Sequence, residues 1–475
     1  MSDIDTNDDT EKYKRKILDD QAAQAEQQQL EQEQDGYGNL TNDQFEQELI
    51  NRYHFKVTKD TEDIYYYEKT KGIYLKNAEW LIKQECLKFN PGISPTYVES
   101  IKQHIIWGNY IDRTEFDPHI EWLCCNSCMI NLRTCETKPH SPKFMALTQI
   151  PHDYAPSLKM PCLEGCFPPG KIMQFLHQVM GPEDVETVLD FMAYSLWRGF
   201  PFHKYLFFNG SGRNGKGVTT NLMIKLLGVK NVSSESLDRI LENRFSAANL
   251  FGKMANIDAD LSSEALKRTG LLKKLTGGDQ IMGEFKYKPA FPFVNHAKII
   301  FSANKIPITP DESDAFFARL IIINFPNQFL GEKDNSNLTN ELTTEPEMSA
   351  FLTLLVRRLP RVLKSGISHA DSHTIEDNYL QYMQSSDPIR FFKETAIRAT
   401  NDDVYVLKED LFDSYRAFCT ANRLPSESIQ TFSRKLKDLG LKEEQKRISG
   451  QRPRVWKNIK LIDWAKPDDE DQETL

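Results

Sequence analysis

The chain has 475 residues, 40% of them hydrophobic and 27% charged, with a formal net charge of −9. At about 150 residues per domain this allows roughly three packed domains, and the acidic balance excludes a uniformly basic protein that coats nucleic acid. The N-terminus is polar and acidic and no run of about 18 apolar residues occurs, so neither a secretory leader nor a membrane span is expected; the expected compartment is the cytoplasm, or the nucleoid of a prokaryotic host.

Residues 1–41, rich in Asp, Glu and Gln, are expected to form a disordered acidic tail, because they cannot bury enough apolar surface to offset the entropy of ordering. Residues 42–112 read as a small α+β module. Phe45 to Tyr53 is helical, Ile64–Glu68 and Gly72–Leu75 flank a turn, and helices follow at about 77–89 and 95–107. Residues 113–200 begin loop-rich, with short strands at Trp122–Cys124 and Met129–Leu132, and end in helices at about 170–180 and 183–197. This region holds Cys125-x-x-Cys128 and Cys162-x-x-x-Cys166, whose spacing suits zinc ligands and equally suits reduced, buried thiols.

Residues 201–384 alternate strands and helices, with strands expected at 204–208, 254–258, 298–303 and 320–325 and one helical stretch over 346–384. The first strand runs into Gly210, Ser211, Gly212, Arg213, Asn214, Gly215, Lys216, Gly217 and Val218, with a helix pattern to Leu227. This is the G-x-x-x-x-G-K phosphate loop: glycines let backbone N–H groups converge on the phosphates, and the lysine and the helix N-terminus add positive charge. The expected cofactors are therefore ATP and Mg²⁺. Gly217 stands where a Ser or Thr hydroxyl normally binds Mg²⁺; Thr219, Thr220 or a water are the alternatives for completing that shell.

A second strand should offer an acid for Mg²⁺, and Met254–Asp260 supplies Asp260 as the principal acid with Asp258 as helper, two residues apart on one strand. Asn304 ends the buried run from Lys298 and is expected to orient the attacking water; a strand-end cap is the plain alternative. Arg319, just before the run Leu320–Ile323, is expected to stabilise transition-state charge, in the neighbouring subunit, or else to form an internal ion pair. A hairpin near 280–295 places Lys286 and Lys288 around Tyr287, which suits phosphate neutralisation plus base stacking; His296 is a further candidate there.

Residues 385–465 read as a separate domain with helices at about 388–398, 407–421 and 428–439. Residues 431–460 hold 10 Lys/Arg against 3 Asp/Glu, whereas residues 1–35 hold 4 against 11. Three helices and a basic hairpin at about 445–456 suggest a winged helix that binds DNA through Arg434, Lys435, Arg452 and Arg454. A short acidic tail, 466–475, closes the chain.

Four segments together resemble superfamily 3 helicases, and more closely the helicase part of the phage/plasmid and poxvirus-type primase-helicases. They are Gly210–Gly217, Leu275–Asp279, Ala297 to Pro307 and Phe316 to Pro326, with Thr276-Gly277-Gly278-Asp279 before a basic hairpin the most discriminating. Upstream, Phe116-Asp117-Pro118, Asn131 to Thr134 and His140-Ser141-Pro142 resemble the family's pre-helicase domain, although Asn126-Ser127 stands where the family usually has Asn-Gly. The resemblance implies an α/β, AAA+-like P-loop NTPase core behind an α+β and helical pre-helicase region. It also implies a homo-hexameric ring translocating on single-stranded and forked DNA, with the lysine hairpin in the channel. Only about 70 structured residues are expected before the pre-helicase domain, so a primase would be a separate partner, and no membrane association is expected. The expected function is an ATP-dependent replicative DNA helicase of a virus, plasmid or integrated element. The alternative is an ATP-switched, origin-binding initiator without processive unwinding.

Overall fold

The computed structural model describes residues 37, 40–157, 170–259, 261, 266, 269–330, 337–368, 374–422, 424–448 and 451–462. Its chain divides into two units, one running to His119 and taking in Pro139–Gln149, the other comprising Ile120–Lys138 and everything from Ile150 onward. The segment 113–200 is thus shared between both.

In the first unit, helix α1 (Asn42–Tyr53) starts at a capping box: Gln44 N donates to Thr41 Oγ1 at 3.3 Å and Thr41 N to Gln44 Oε1 at 2.9 Å. Strands β1 (Lys56–Thr58), β2 (Ile64–Glu68) and β3 (Ile73–Lys76) precede helices α2 (Glu79–Phe89) and α3 (Pro95–Gly108) and strand β4 (Tyr110–Ile111). The sheet order is β3-β2-β1-β4, with only the β1–β4 pair parallel. Its core joins Phe45, Leu49, Val57, Ile82, Ile101 and Ile105. Tyr37 belongs to that core: its ring meets Phe45 edge-on at 4.9 Å and its hydroxyl donates to Glu85 at 2.7 Å. The expectation of disorder through residue 41 is therefore corrected at its inner end, where one aromatic ring finds a partner; residues 1–36, 38 and 39 lie outside the described residues.

Strands β5 (Trp122–Cys125), β6 (Met129–Asn131) and β7 (Thr137–Lys138) form a meander, and β8 (Gln149–Ile150) lies beside β5. In the second unit, helices α4 (Lys171–Val179) and α5 (Pro182–Ser195) lead to β9 (Tyr205–Asn209), α6 (Lys216–Leu227), β10 (Val232–Ser233), α7 (Leu237–Glu242), α8 (Arg244–Ala248) and β11 (Ala255–Asp258). There follow α9 (Gly270–Gly277), β12 (Gln280–Glu284), β13 (Ala290–Val294), β14 (Lys298–Ala303), α10 (Asp314–Phe317) and β15 (Leu320–Asn324). The central sheet is parallel in the order β10-β11-β14-β9-β15. Its strands read as unbroken apolar runs because both faces are covered. Leu206, Phe208, Ile257 and Ile300 pack with Leu222 and Met223 of α6, while Phe207 and Phe301 pack with Leu272 and Leu275 of α9.

The expected helix over 346–384 is two helices with α11 (Leu338–Leu342) before them: α12 (Glu345–Ser365) and α13 (Ile375–Ser386). Gly366, at φ +82°, ends α12 with its N–H on Val362 O. α12 is tied to α5 by Asp190, whose fully buried carboxylate accepts from Arg358, Arg361 and, at 2.8 Å, Ser368 N. Burial opposes ionisation there, yet the Arg358 guanidinium and the Ser368 N–H prevail and hold the carboxyl below the usual aspartate range. Asp190→Ala strands the half of this cluster that remains, and is expected to cost about 3–5 kcal/mol of unfolding free energy in urea denaturation; a loss below about 1 kcal/mol contradicts this. Because the folded pKa is depressed, the contribution is complete above the unfolded aspartate value of about 3.9 and is lost as pH falls through the folded value.

The last region has helices α14 (Pro388–Ala396), α15 (Lys408–Ala421) and α16 (Ile429–Asp438) around Phe392, Tyr415, Phe418, Phe432 and Trp456. Strands β16 (Ile397–Ala399), β17 (Tyr405–Leu407), β18 (Lys442–Gln445), β19 (Arg454–Lys457) and β20 (Ile459–Leu461) form the antiparallel sets β17-β19-β18 and β16-β20. The acidic tail 466–475 lies outside the described residues.

Candidate functional site

The phosphate loop joins the C-terminal end of β9 to α6. A Cβ on Gly210, at φ +154°, would stand 2.4 Å from Asn214 Nδ2 and 2.8 Å from Phe325 O; one on Gly215, at φ +94°, would stand 2.5 Å from Val179 Cγ1. Both positions therefore require glycine. The loop is held from outside: Asn214 Nδ2 donates to Phe325 O at 3.4 Å, Phe329 N to Arg213 O at 2.8 Å and Gln328 Nε2 to Ser211 Oγ at 2.7 Å. Lys216 opens α6 and is 7% exposed. Its ammonium donates to Gly210 O, to Ser211 O at 3.1 Å, to Asn214 Oδ1 at 3.3 Å and to Asn304 Oδ1 at 3.4 Å. Burial lowers its pKa from the ordinary lysine value.

A cavity of about 540 Å³ opens over this loop. Its lining combines Gly212–Val218, Ser302 and Asn304 with the apolar side chains of Phe175, Val179, Phe329 and Leu338. That combination matches a ligand with a charged phosphate tail and a flat base. The apolar wall is absent from the sequence reading. Phe175 and Val179 stand four residues apart on α4, a spacing identical to that of core positions, and only their neighbour Gly215 reveals what they face.

The acids depart from expectation. β11 ends at Asp258, and its alternation turns Ala255 and Ile257 toward α6. Asp258 pairs in register with Phe301, which packs on the α9 face, and it is buried off the cavity wall, where Ala259 stands instead. Asp258, expected as the helper acid, thus ends the strand without lining the cavity. Asp260 lies outside the described residues.

Arg319 precedes β15, and its carbonyl accepts from Tyr205 N at the start of β9. It therefore sits at the N-terminal edge of the sheet, whereas the phosphate loop leaves the C-terminal edge. Five strand residues at about 3.3 Å each separate the two by roughly 16 Å. Its Nη1 donates to Ala315 O at 2.6 Å.

Thr276-Gly277-Gly278-Asp279 ends α9, with Gly278 left-handed at φ +82°, and turns the chain into the β12–β13 hairpin. Lys286, Tyr287 and Lys288 occupy its exposed tip; Tyr287 is 90% exposed and the Lys286 ammonium lies 5.1 Å from its ring centre. His296 does not share that tip. It follows β13 in the connection to β14, where burial and the Arg198 and Lys298 charges push its pKa down to about 3. A neutral, enclosed imidazole offers no charge to a phosphate, so it leaves the DNA-contact set. Lys298, fully buried, is likewise spent internally, donating to Trp197 O at 2.7 Å, Gly199 O at 2.9 Å and His296 O at 3.1 Å.

Known proteins share parts of this sequence. Residues 110–181 match the family described as D5 N terminal like, and residues 208–319 match a family of unknown function, DUF5906. The chain is 22% identical over 279 residues to protein 121R of Invertebrate iridescent virus 3, and 23% identical over 240 residues to protein L207/L206 of Acanthamoeba polyphaga mimivirus. Both names mark their proteins as candidate helicases. Through these matches the chain is similar to the D5-type primase-helicases of phages and viruses. The two alignments take in 52% and 45% of this chain but only 30% and 24% of those D5-type relatives. Among solved structures, the NrS-1 C terminal region aligns over 87% of this chain and 98% of its own, at 12% identity and a TM-score of 0.46.

Two further parts of the chain stand out in its sequence. Cys125 and Cys128 face each other across a turn, Sγ to Sγ 3.6 Å, and the Cys128 hydrogen bond pulls the Cys125 thiol below its usual value. No group of three or more His, Cys, Asp or Glu side chains suited to a metal occurs among the described residues; Cys162 and Cys166 lie outside them. In the C-terminal region Arg434 and Arg452 are exposed. Lys435 is instead paired with Asp387 at 3.0 Å, and Arg454 lies 3.5 Å from Glu443. Glu443 also draws Lys437 and, at 2.9 Å, Lys408, so part of the basic charge pairs with one buried carboxylate while the Lys437 and Arg454 side chains stay exposed. Among the described residues, no helix is long and apolar enough to cross a membrane.

Proposed function

We propose that this chain is an ATP-dependent DNA helicase of the superfamily 3 type, acting in replication of a virus, plasmid or integrated element as a hexameric ring on single-stranded DNA. One observation carries the reading: the phosphate-loop backbone, Lys216 and Asn304 converge on one cavity whose lining also includes apolar side chains. Lys216 would neutralise the β- and γ-phosphates, and Asn304 would hold the attacking water. Mg²⁺, when bound with ATP, would supply charge neutralisation across the phosphate oxygens, with Asp260 as its expected carboxylate partner. Arg319, at the far edge of the sheet, would serve the site of an adjoining copy. The C-terminal helices with the β18–β19 hairpin support a winged helix whose outward charges are Arg434 and Arg452.

The hairpin lysines would grip the strand backbone. Lys286→Ala with Lys288→Ala is expected to spare DNA-independent ATP turnover, abolish strand displacement, and flatten the slope of log affinity against log salt by roughly 1.4, two single-strand phosphate contacts. Unchanged slope and full unwinding would remove the hairpin from the mechanism. The initiator reading rests on the same exposed arginines, Arg434 and Arg452; duplex-specific binding by a protein that never displaces a strand from a fork would favour it.

A further inference from the structure

The loop lacks the hydroxyl that usually follows its lysine, and packing does not impose this: a Cβ on Gly217 would meet no atom within 4 Å. The nearby hydroxyls of α6 are turned into their own helix, Thr219 Oγ1 donating to Gly215 O at 3.0 Å and Thr220 Oγ1 to Gly217 O at 2.9 Å. Across the cavity lies β14. Ile300 on that strand packs with Leu222 and Met223 under α6, and Asn304 beyond its end accepts from Lys216. Ser302 falls between them, so strand alternation aims its side chain at the first turn of α6. It is 5% exposed, lines the cavity together with Gly217 and Thr220, and its hydroxyl has no hydrogen-bond partner among the described residues. A hydroxyl that faces a cavity is available as a donor and acceptor to a ligand there.

We propose that Ser302 supplies the hydroxyl ligand of nucleotide-bound Mg²⁺, from the sensor strand instead of the phosphate-loop helix. This rests on the nucleotide-site reading above. A neutral hydroxyl oxygen is a hard donor suited to Mg²⁺, and the glycine at 217 leaves room for the ion to be approached from the strand side.

The test is calorimetric binding of a non-hydrolysable ATP analogue to the full chain, in Mg²⁺ and in EDTA. The readout is the factor by which Mg²⁺ tightens binding. Ser302→Ala is expected to shrink that factor on the order of tenfold, leaving EDTA binding within about twofold. Adding Gly217→Ser to Ser302→Ala is expected to restore it. Ser302→Cys is expected to move the preference from Mg²⁺ to Cd²⁺, since thiolates favour softer ions. An unchanged Mg²⁺ factor in Ser302→Ala overturns the proposal, as does equal weakening with and without metal. A collapse confined to Thr220→Val assigns the ligand to α6 and overturns it too. If the unaltered chain binds no analogue in either condition, the nucleotide-site reading itself fails.

Discussion

Lys216→Ala is expected to reduce ATP turnover by about 10²–10³-fold, the loss that follows removal of one preorganised group from a developing charge. The ammonium is held between Gly210 O, Ser211 O and Asn304 Oδ1, and Lys216 lines the cavity. Phosphate oxygens entering there would replace the carbonyls as its partners. The substitution removes no core contact, because the strand beneath is packed through Leu206 and Phe208 and the loop is pinned independently through Asn214, Arg213 and Ser211. The melting temperature should therefore change little while turnover falls. DNA-stimulated hydrolysis at the unaltered rate would place the catalytic site elsewhere.

Arg319→Ala is expected to cost about 10³–10⁵-fold in turnover, the range for a transition-state arginine supplied by a neighbour. Arg319 and the phosphate loop lie at opposite ends of β15 and β9, and an arginine side chain does not cross that span within one chain. Mixing Arg319→Ala with Lys216→Ala should recover part of the activity, because some interfaces then combine an intact lysine with an intact arginine. If Arg319 only braces Ala315 O, neither substitution will complement the other.

Much of this architecture was legible because its strands are buried on both faces. Leu206–Phe208 and Ile299–Phe301 have no polar alternation, which is the mark of a parallel sheet, and the glycine-rich turn after the first announces a phosphate site. Helices α1, α3, α5 and α6 follow apolar periodicity with caps or glycines at their ends. What escaped depends on contacts distant in sequence. Phe175 and Val179 look like ordinary core residues until Gly215 is placed against them. β16, β17 and β20 span three residues each, too short to show a period. The break after Ser365 rests on one left-handed glycine. Ion pairs were hidden for a related reason: only the fold brings Asp387 beside Lys435 and Glu443 beside the exposed Arg454. Lys298, close to the basic hairpin in sequence, is enclosed by the aromatic and carbonyl groups around β14.

The central claim is that ATP hydrolysis at this cavity drives strand separation. Its most direct measurement is displacement of a labelled strand from a forked DNA duplex by the full chain in Mg²⁺ and ATP, beside Lys216→Ala. Strand release that requires hydrolysable ATP and vanishes with Lys216→Ala is the predicted result. A chain that hydrolyses ATP and binds the fork but releases no strand at any protein concentration contradicts the claim.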